Sequence, residues 1–139
     1  MLVDTGAWIA AFVRRDPYHV PGAEQFRRLR SQRTRLVVTD LILAELHGHL
    51  VRIRGPAGAA EYLLALKSDP LVEEVFVNPS LQTSALDDWL ERFPDQPFTL
   101  TDAVSFSVMR AHRIPAAFTF DRHFSIAGFQ TLPAARRDL

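Results

Sequence analysis

The stretch Ala116-Ala117-Phe118-Thr119-Phe120-Asp121-Arg122-His123-Phe124 decides how this chain is read. Ala116 to Phe120 is apolar apart from Thr119, short, and rich in residues that suit a buried strand; it ends on a lone carboxylate, Asp121. An acid at a strand end can be no more than a turn residue. It can also belong to a site, because open parallel sheets bind ligands at the carboxyl ends of their strands. The pattern is already present at the start of the chain, where Leu2-Val3 runs into Asp4.

Between these two points, short apolar runs alternate with amphipathic stretches. The spacing predicts strands at Leu2-Val3, Leu36 to Val38, Val72 to Val77, Ala116 to Phe120 and Phe129 to Leu132. It predicts helices over Ala7 to Phe12 and Gly22 to Arg30, and from Leu41 to a break at Gly55-Pro56. Further helices are expected over Ala57 to Lys67, from Asn78-Pro79-Ser80 to about Arg92, and from Asp102 to about His112 with Thr101 as the cap. Strands alternating with helices imply an α/β fold. The expected architecture is a three-layer α/β/α arrangement with a central, mostly parallel sheet of about five strands, forming one domain over residues 1–139.

With 47% apolar residues the chain is not disordered, and no apolar run is long enough to span a bilayer. Met1-Leu2-Val3 is interrupted at once by Asp4, which argues against a signal peptide. Without cysteine there is no disulfide framework, thiolate nucleophile or zinc–thiolate site, and a cytoplasmic location is expected. Sixteen basic and sixteen acidic residues cancel, which argues against nonspecific coating of nucleic acid. Yet fifteen of the sixteen basic residues are arginine, bunched at Arg14-Arg15, at Arg27 to Arg35, and at Arg52 and Arg54. Arginine's planar fork suits phosphate, although solvated helix faces would also account for these clusters.

Four acids sit in apolar company: Asp4, Glu45, Asp102 and Asp121. Singly, each has a bland explanation: Asp4 and Asp121 as turn residues, Asp102 as an acid at a positive helix end, Glu45 as a surface position beside His49. Together they converge, because Asp4 and Asp121 end strands and the other two lie near helix starts on the same sheet edge. Carboxylates gathered in a partly apolar pocket repel one another unless a cation neutralises them. Hard oxygen ligands select magnesium or manganese, which serve in-line phosphoryl displacement. Acids and arginines together point to phosphodiester hydrolysis.

The chain resembles the PIN-domain ribonucleases, and among them the VapC-type toxins of bacterial toxin–antitoxin pairs. The resemblance is carried by Leu2-Val3-Asp4-Thr5-Gly6, by Thr39 to Leu46, by Leu100-Thr101-Asp102-Ala103, and above all by Phe118 to Phe124, with Ala127-Gly128-Phe129 as the ending. It implies that Asp4, Glu45, Asp102 and Asp121 are the catalytic, metal-holding acids, supported by the hydroxyls of Thr5, Thr101 and Thr119. It further implies Mg2+ or Mn2+, an RNA substrate, a homodimer, and a VapB-like antitoxin. Asp40 is an extra acid near the site and reads as a helix cap, with Thr39 the alternative cap. The antitoxin is expected in an apolar groove formed by the exposed faces of the helices around Ala7 to Phe12 and Leu41 to Leu50.

Other readings remain open. One is a PIN nuclease of RNA maturation without an antitoxin; another is a non-catalytic PIN-like module that binds RNA or protein. A dehalogenase-like phosphotransferase would need an acid where Gly6 stands, and a phospho-acceptor receiver would need a late strand-end lysine, whereas the one lysine is Lys67. A zinc site from Glu45, His47, His49 and His123 fails on helix geometry, since His47 lies about 200° around the helix from Glu45. Phe118, Phe120 and Phe124 read as core.

Overall fold

The computed structural model describes residues 1–134; residues 135–139, part of the expected domain, lie outside the described residues. Five strands form one sheet: β1 (Leu2–Val3), β2 (Leu36–Thr39), β3 (Val72–Val75), β4 (Ala116–Phe118) and β5 (Gln130–Leu132). Their order is β3-β2-β1-β4-β5 and every pairing is parallel. The three central strands are buried throughout, which is why they read as unbroken apolar runs, whereas the edge strands β3 and β5 are partly exposed.

The connections are helical: α1 (Thr5–Phe12), α2 (His19–Ser31), α3 (Asp40–Lys67), α4 (Pro79–Ser84), α5 (Leu100–Ala111) and α6 (His123–Ile126). Parallel crossovers are right-handed, so helices change face where the chain reverses its direction across the sheet. The contacts divide accordingly. α1 packs on α2 and α3, while α5 packs on α4 and α6. The result is the expected three-layer α/β/α fold, with Phe106, Phe118, Phe124, Leu2 and Leu36 among its fully buried side chains.

Three boundaries differ from the expectation for local reasons. The break at Gly55-Pro56 is a kink within α3, where Gly55 takes φ 73° and ψ 172°, a conformation open almost only to glycine. The helix expected to reach Arg92 widens after α4 into a π-helical segment, Ala85–Glu91, burying Ala85 and Trp89. Strand β4 stops at Phe118 rather than Phe120, because the Thr119 side chain turns the chain toward Asp121. A further close approach joins the first helices: a Cβ on Gly22 of α2 would stand 2.8 Å from the Ala10 Cβ of α1.

Candidate functional site

The register of the two central strands brings the first pair of site residues together. Leu2 pairs with Ala117 and Val3 with Phe118, so Asp4 and Thr119 leave the sheet side by side. The Asp4 N–H donates to the Phe118 carbonyl at 3.0 Å. Thr119 then links two acids: its Oγ1–H donates to Asp4 Oδ2 at 3.1 Å and its oxygen accepts the Asp121 N–H at 3.0 Å. Asp121 in turn accepts the His123 N–H at 2.9 Å, closing a turn that holds its carboxylate. β1 and β4 flank the point where strand order reverses, which is where such sheets open a crevice.

Asp102 arrives from the other helical layer. Its helix is capped by Thr99, not by Thr101 as the sequence suggested. Thr99 Oγ1 accepts the Asp102 N–H at 3.1 Å, and Asp102 Oδ2 accepts the Thr99 N–H at 3.0 Å, a complete capping box. The reciprocal acid must stand three residues after the cap, and only Thr99 has that spacing to Asp102. Thr101 sits inside the first turn, and among the described residues its hydroxyl makes no hydrogen bond to any of the four acids. Asp102 thus helps cap its helix and also faces the site.

His123 is the residue that sequence reasoning missed. Its Nδ1 lies 3.2 Å from Asp102 Oδ2 and 3.4 Å from Asp121 Oδ2. An ionised carboxylate can only accept, so a tautomer carrying the Nδ1 proton suits both contacts. Ligand-capable atoms of Asp102, Asp121 and His123 all lie within 4.8 Å of one another. The set Glu45, His47, His49 and His123 does not assemble. His123 joins the aspartates, whereas Glu45 and His49 lie on α3. The available signal was the spacing Asp-x-His after a strand, which suits a side-chain turn.

A cleft of about 370 Å³ opens beside these groups, lined by Asp4, Thr5, Asp121, Glu45 and His49, whereas Asp102 and His123 stand outside its lining. Glu45 is exposed, one turn into α3, as expected. The cleft also takes in Asp16 and Tyr18, which the sequence reading left aside. Tyr18 is 53% exposed and stacks on Phe120, with centroids 4.7 Å apart and an interplanar angle of 14°. Phe120 thus packs against the core and also walls the cleft, whereas Phe118 and Phe124 are fully buried. Asp40 lies outside the cleft lining, but Thr39 is the true cap of α3; Asp40 instead accepts the Val77 N–H at 3.0 Å.

Burial and charge act in the same direction on Asp4. Desolvation pushes its pKa up to about 7, and the neighbouring Asp102 and Asp121 add to the rise against hydrogen bonds from the Thr5 backbone and Thr119. Thr5 Oγ1 is also buried without a hydrogen-bond partner among the described residues. Carboxylate oxygens and an unpartnered hydroxyl make a donor set that fits a hard divalent cation such as magnesium or manganese, while the His123 Nδ1–H is turned to the aspartates.

A PIN-domain family profile matches residues 1–130. The 23S rRNA-specific endonuclease VapC20, from two strains of Mycobacterium tuberculosis, is 32% identical over 130 residues, covering 93% of this chain and 95% of that protein. The crystal structure of M. tuberculosis VapC20, described as a sarcin–ricin-loop-cleaving toxin, superposes with a TM-score of 0.79 at 29% identity. It covers 92% of this chain and 95% of the other. The parallel sheet, the acids at its carboxyl edge and these relatives agree: the chain belongs to the PIN-domain family, as a ribonuclease of the VapC type.

Proposed function

We propose that the chain is a divalent-metal-dependent endoribonuclease that hydrolyses phosphodiester bonds, the toxin of a toxin–antitoxin pair that blocks translation by cleaving RNA. The observation that carries this reading is the clustering of three aspartates from separate elements: Asp102 and Asp121 present ligand atoms within 4.8 Å of each other, and the charges of both act on the buried Asp4. Asp4, Asp102 and Asp121 would hold Mg2+ or Mn2+, with Glu45 in the lining of the cleft that also contains Asp4 and Asp121. The ion when bound would offset the clustered negative charge and supply Lewis-acid stabilisation to the phosphodiester.

The chain's own groups do the remaining work. Thr119 orients Asp4 and Asp121 through a single hydroxyl, and the capping box holds Asp102. His123 braces Asp102 and Asp121 through Nδ1. Glu45 is exposed, so its carboxylate can take up a proton from the attacking water and pass it to solvent.

The same reading carries a homodimer and a VapB-like antitoxin. For the antitoxin we favour an apolar groove of about 220 Å³ lined by Trp8, Phe12, Phe26, Tyr62 and Leu66. It uses the α1 face that the sequence suggested. The inward face of the other helix, Ile42, Leu43, Leu46 and Leu50, is buried in the core. The 23S ribosomal RNA cleaved by the relative is the first substrate to try. Cleavage should stop in EDTA and return with magnesium or manganese; undiminished cleavage in EDTA would sink the metal mechanism.

A further inference from the structure

A second cleft, of about 410 Å³, lies where α1 ends, and its lining includes Arg14, Arg15 and Arg54 with Phe12 and Ile53. Elsewhere Arg28, Arg30, Arg35 and Arg110 are paired with Glu24, Asp69, Glu73 and Asp88. Among the described residues, Arg14, Arg15 and Arg54 form no ion pair. Arg54 instead donates to the Phe12 carbonyl at 3.2 Å, tying α3 to the end of α1 across the cleft. Three guanidinium groups without carboxylates are matched to an anion with several oxygens.

The position of this cleft favours RNA over an acidic protein. α1 and α3 follow adjacent parallel strands, so both run away from the carboxylate edge in the same sense. Thr5 and Glu45 line the carboxylate cleft, whereas Val13 and Ile53, each eight residues further on, line the basic one. Eight helical residues advance about 12 Å. At a stacked rise of about 3.4 Å per nucleotide, a strand covers that distance in roughly three to four nucleotides. Gly6, Ile9 and His49 line the carboxylate cleft along the same two helices.

We propose that the Arg14–Arg15–Arg54 cleft is a phosphate subsite for the RNA strand whose reacting phosphodiester lies among the carboxylates, a placement that rests on the nuclease reading above. The subsite reads backbone charge and not base sequence, so it sets affinity and direction of the strand while leaving cleavage preference to the carboxylate cleft.

The test is binding of a twelve-nucleotide single-stranded RNA by fluorescence anisotropy across a salt series in calcium in place of magnesium, with the RNA checked on a gel to be uncut. Arg14→Ala/Arg15→Ala should weaken affinity by roughly tenfold and make the slope of log affinity against log salt shallower by roughly 1.4, as loss of two phosphate contacts requires. Arg14→Lys/Arg15→Lys should keep most of that slope, and Arg28→Ala, whose partner is Glu24, should change neither quantity. Melting curves of each variant separate lost contacts from lost folding; should the alanine variant not fold, the lysine variant against Arg54→Ala gives the same comparison. An unchanged slope in a folded alanine variant overturns the subsite and returns the cleft to an acidic protein partner. Because binding is read without cleavage, RNA bound with an arginine-dependent slope by a chain that never cuts in magnesium keeps the subsite and sinks the nuclease reading. Cleavage with an unaltered slope does the reverse.

Discussion

Asp4 is the residue on which the site turns. Burial lifts its pKa to about 7, well above the ordinary carboxylate value of 3.8, so between these values the folded state holds a proton that the unfolded chain gives up. The associated stability is fully present below about pH 4 and is lost as pH rises through about 7. In EDTA, Asp4→Asn should therefore be more stable than the parent at pH 8, with the advantage vanishing toward pH 4. Urea unfolding at several pH values measures the difference, and an equal pH dependence in both proteins would refute the argument. Metal competes with that proton, so apparent magnesium affinity should rise as pH climbs through about 7. Asp4→Asn and Asp102→Asn should each remain folded while losing most RNA cleavage.

At the scale of the element, α5 shows how a helix start can serve a site. The capping box satisfies two backbone donors and, in doing so, fixes the carboxylate that faces His123. Thr99→Ala should cost about 1 kcal/mol of stability. It should also lower activity, because Asp102 loses its brace. Thr101→Ala removes a hydroxyl with no cap to make, and should change stability by only a few tenths of a kcal/mol. Thermal melting and cleavage rates of the two variants check this directly; equal losses would restore Thr101 to the capping role. The sequence showed the helix and the acid clearly. It pointed to Thr101 as the cap because that threonine directly precedes Asp102, whereas the three-residue spacing of a capping box belongs to Thr99.

At the scale of the whole molecule, a parallel sheet that reverses strand order between β1 and β4 gathers acids from both ends of the chain at one edge. No helix among the described residues is long and apolar enough to cross a membrane. A pocket this negative invites an inhibitor that inserts a positive side chain, and a disordered inhibitor segment must bury apolar groups to offset its ordering cost. The apolar groove beside α1, with Trp8, Phe12 and Tyr62, meets that need. Expression of the chain alone should arrest growth of a host. Co-expression with the product of a neighbouring antitoxin gene should relieve the arrest, and Asp4→Asn should cause none. A harmless wild-type chain that the neighbour does not bind would end the toxin assignment and keep only the nuclease.

The sequence by itself determined the alternation of strands and helices, the acids at strand ends and the family likeness. These are local patterns, legible because period, turn chemistry and short motifs need only neighbouring residues. Tertiary structure decided what depends on distant partners. Thr119 reaches Asp4 across 115 positions of sequence, and His123 meets Asp102 across 21. Asp16, Tyr18 and His49 join the cleft only when α1, the turn after it and α3 pack together. The raised pKa of Asp4 belongs to the same class, since burial and the charges of Asp102 and Asp121 exist only in the folded chain.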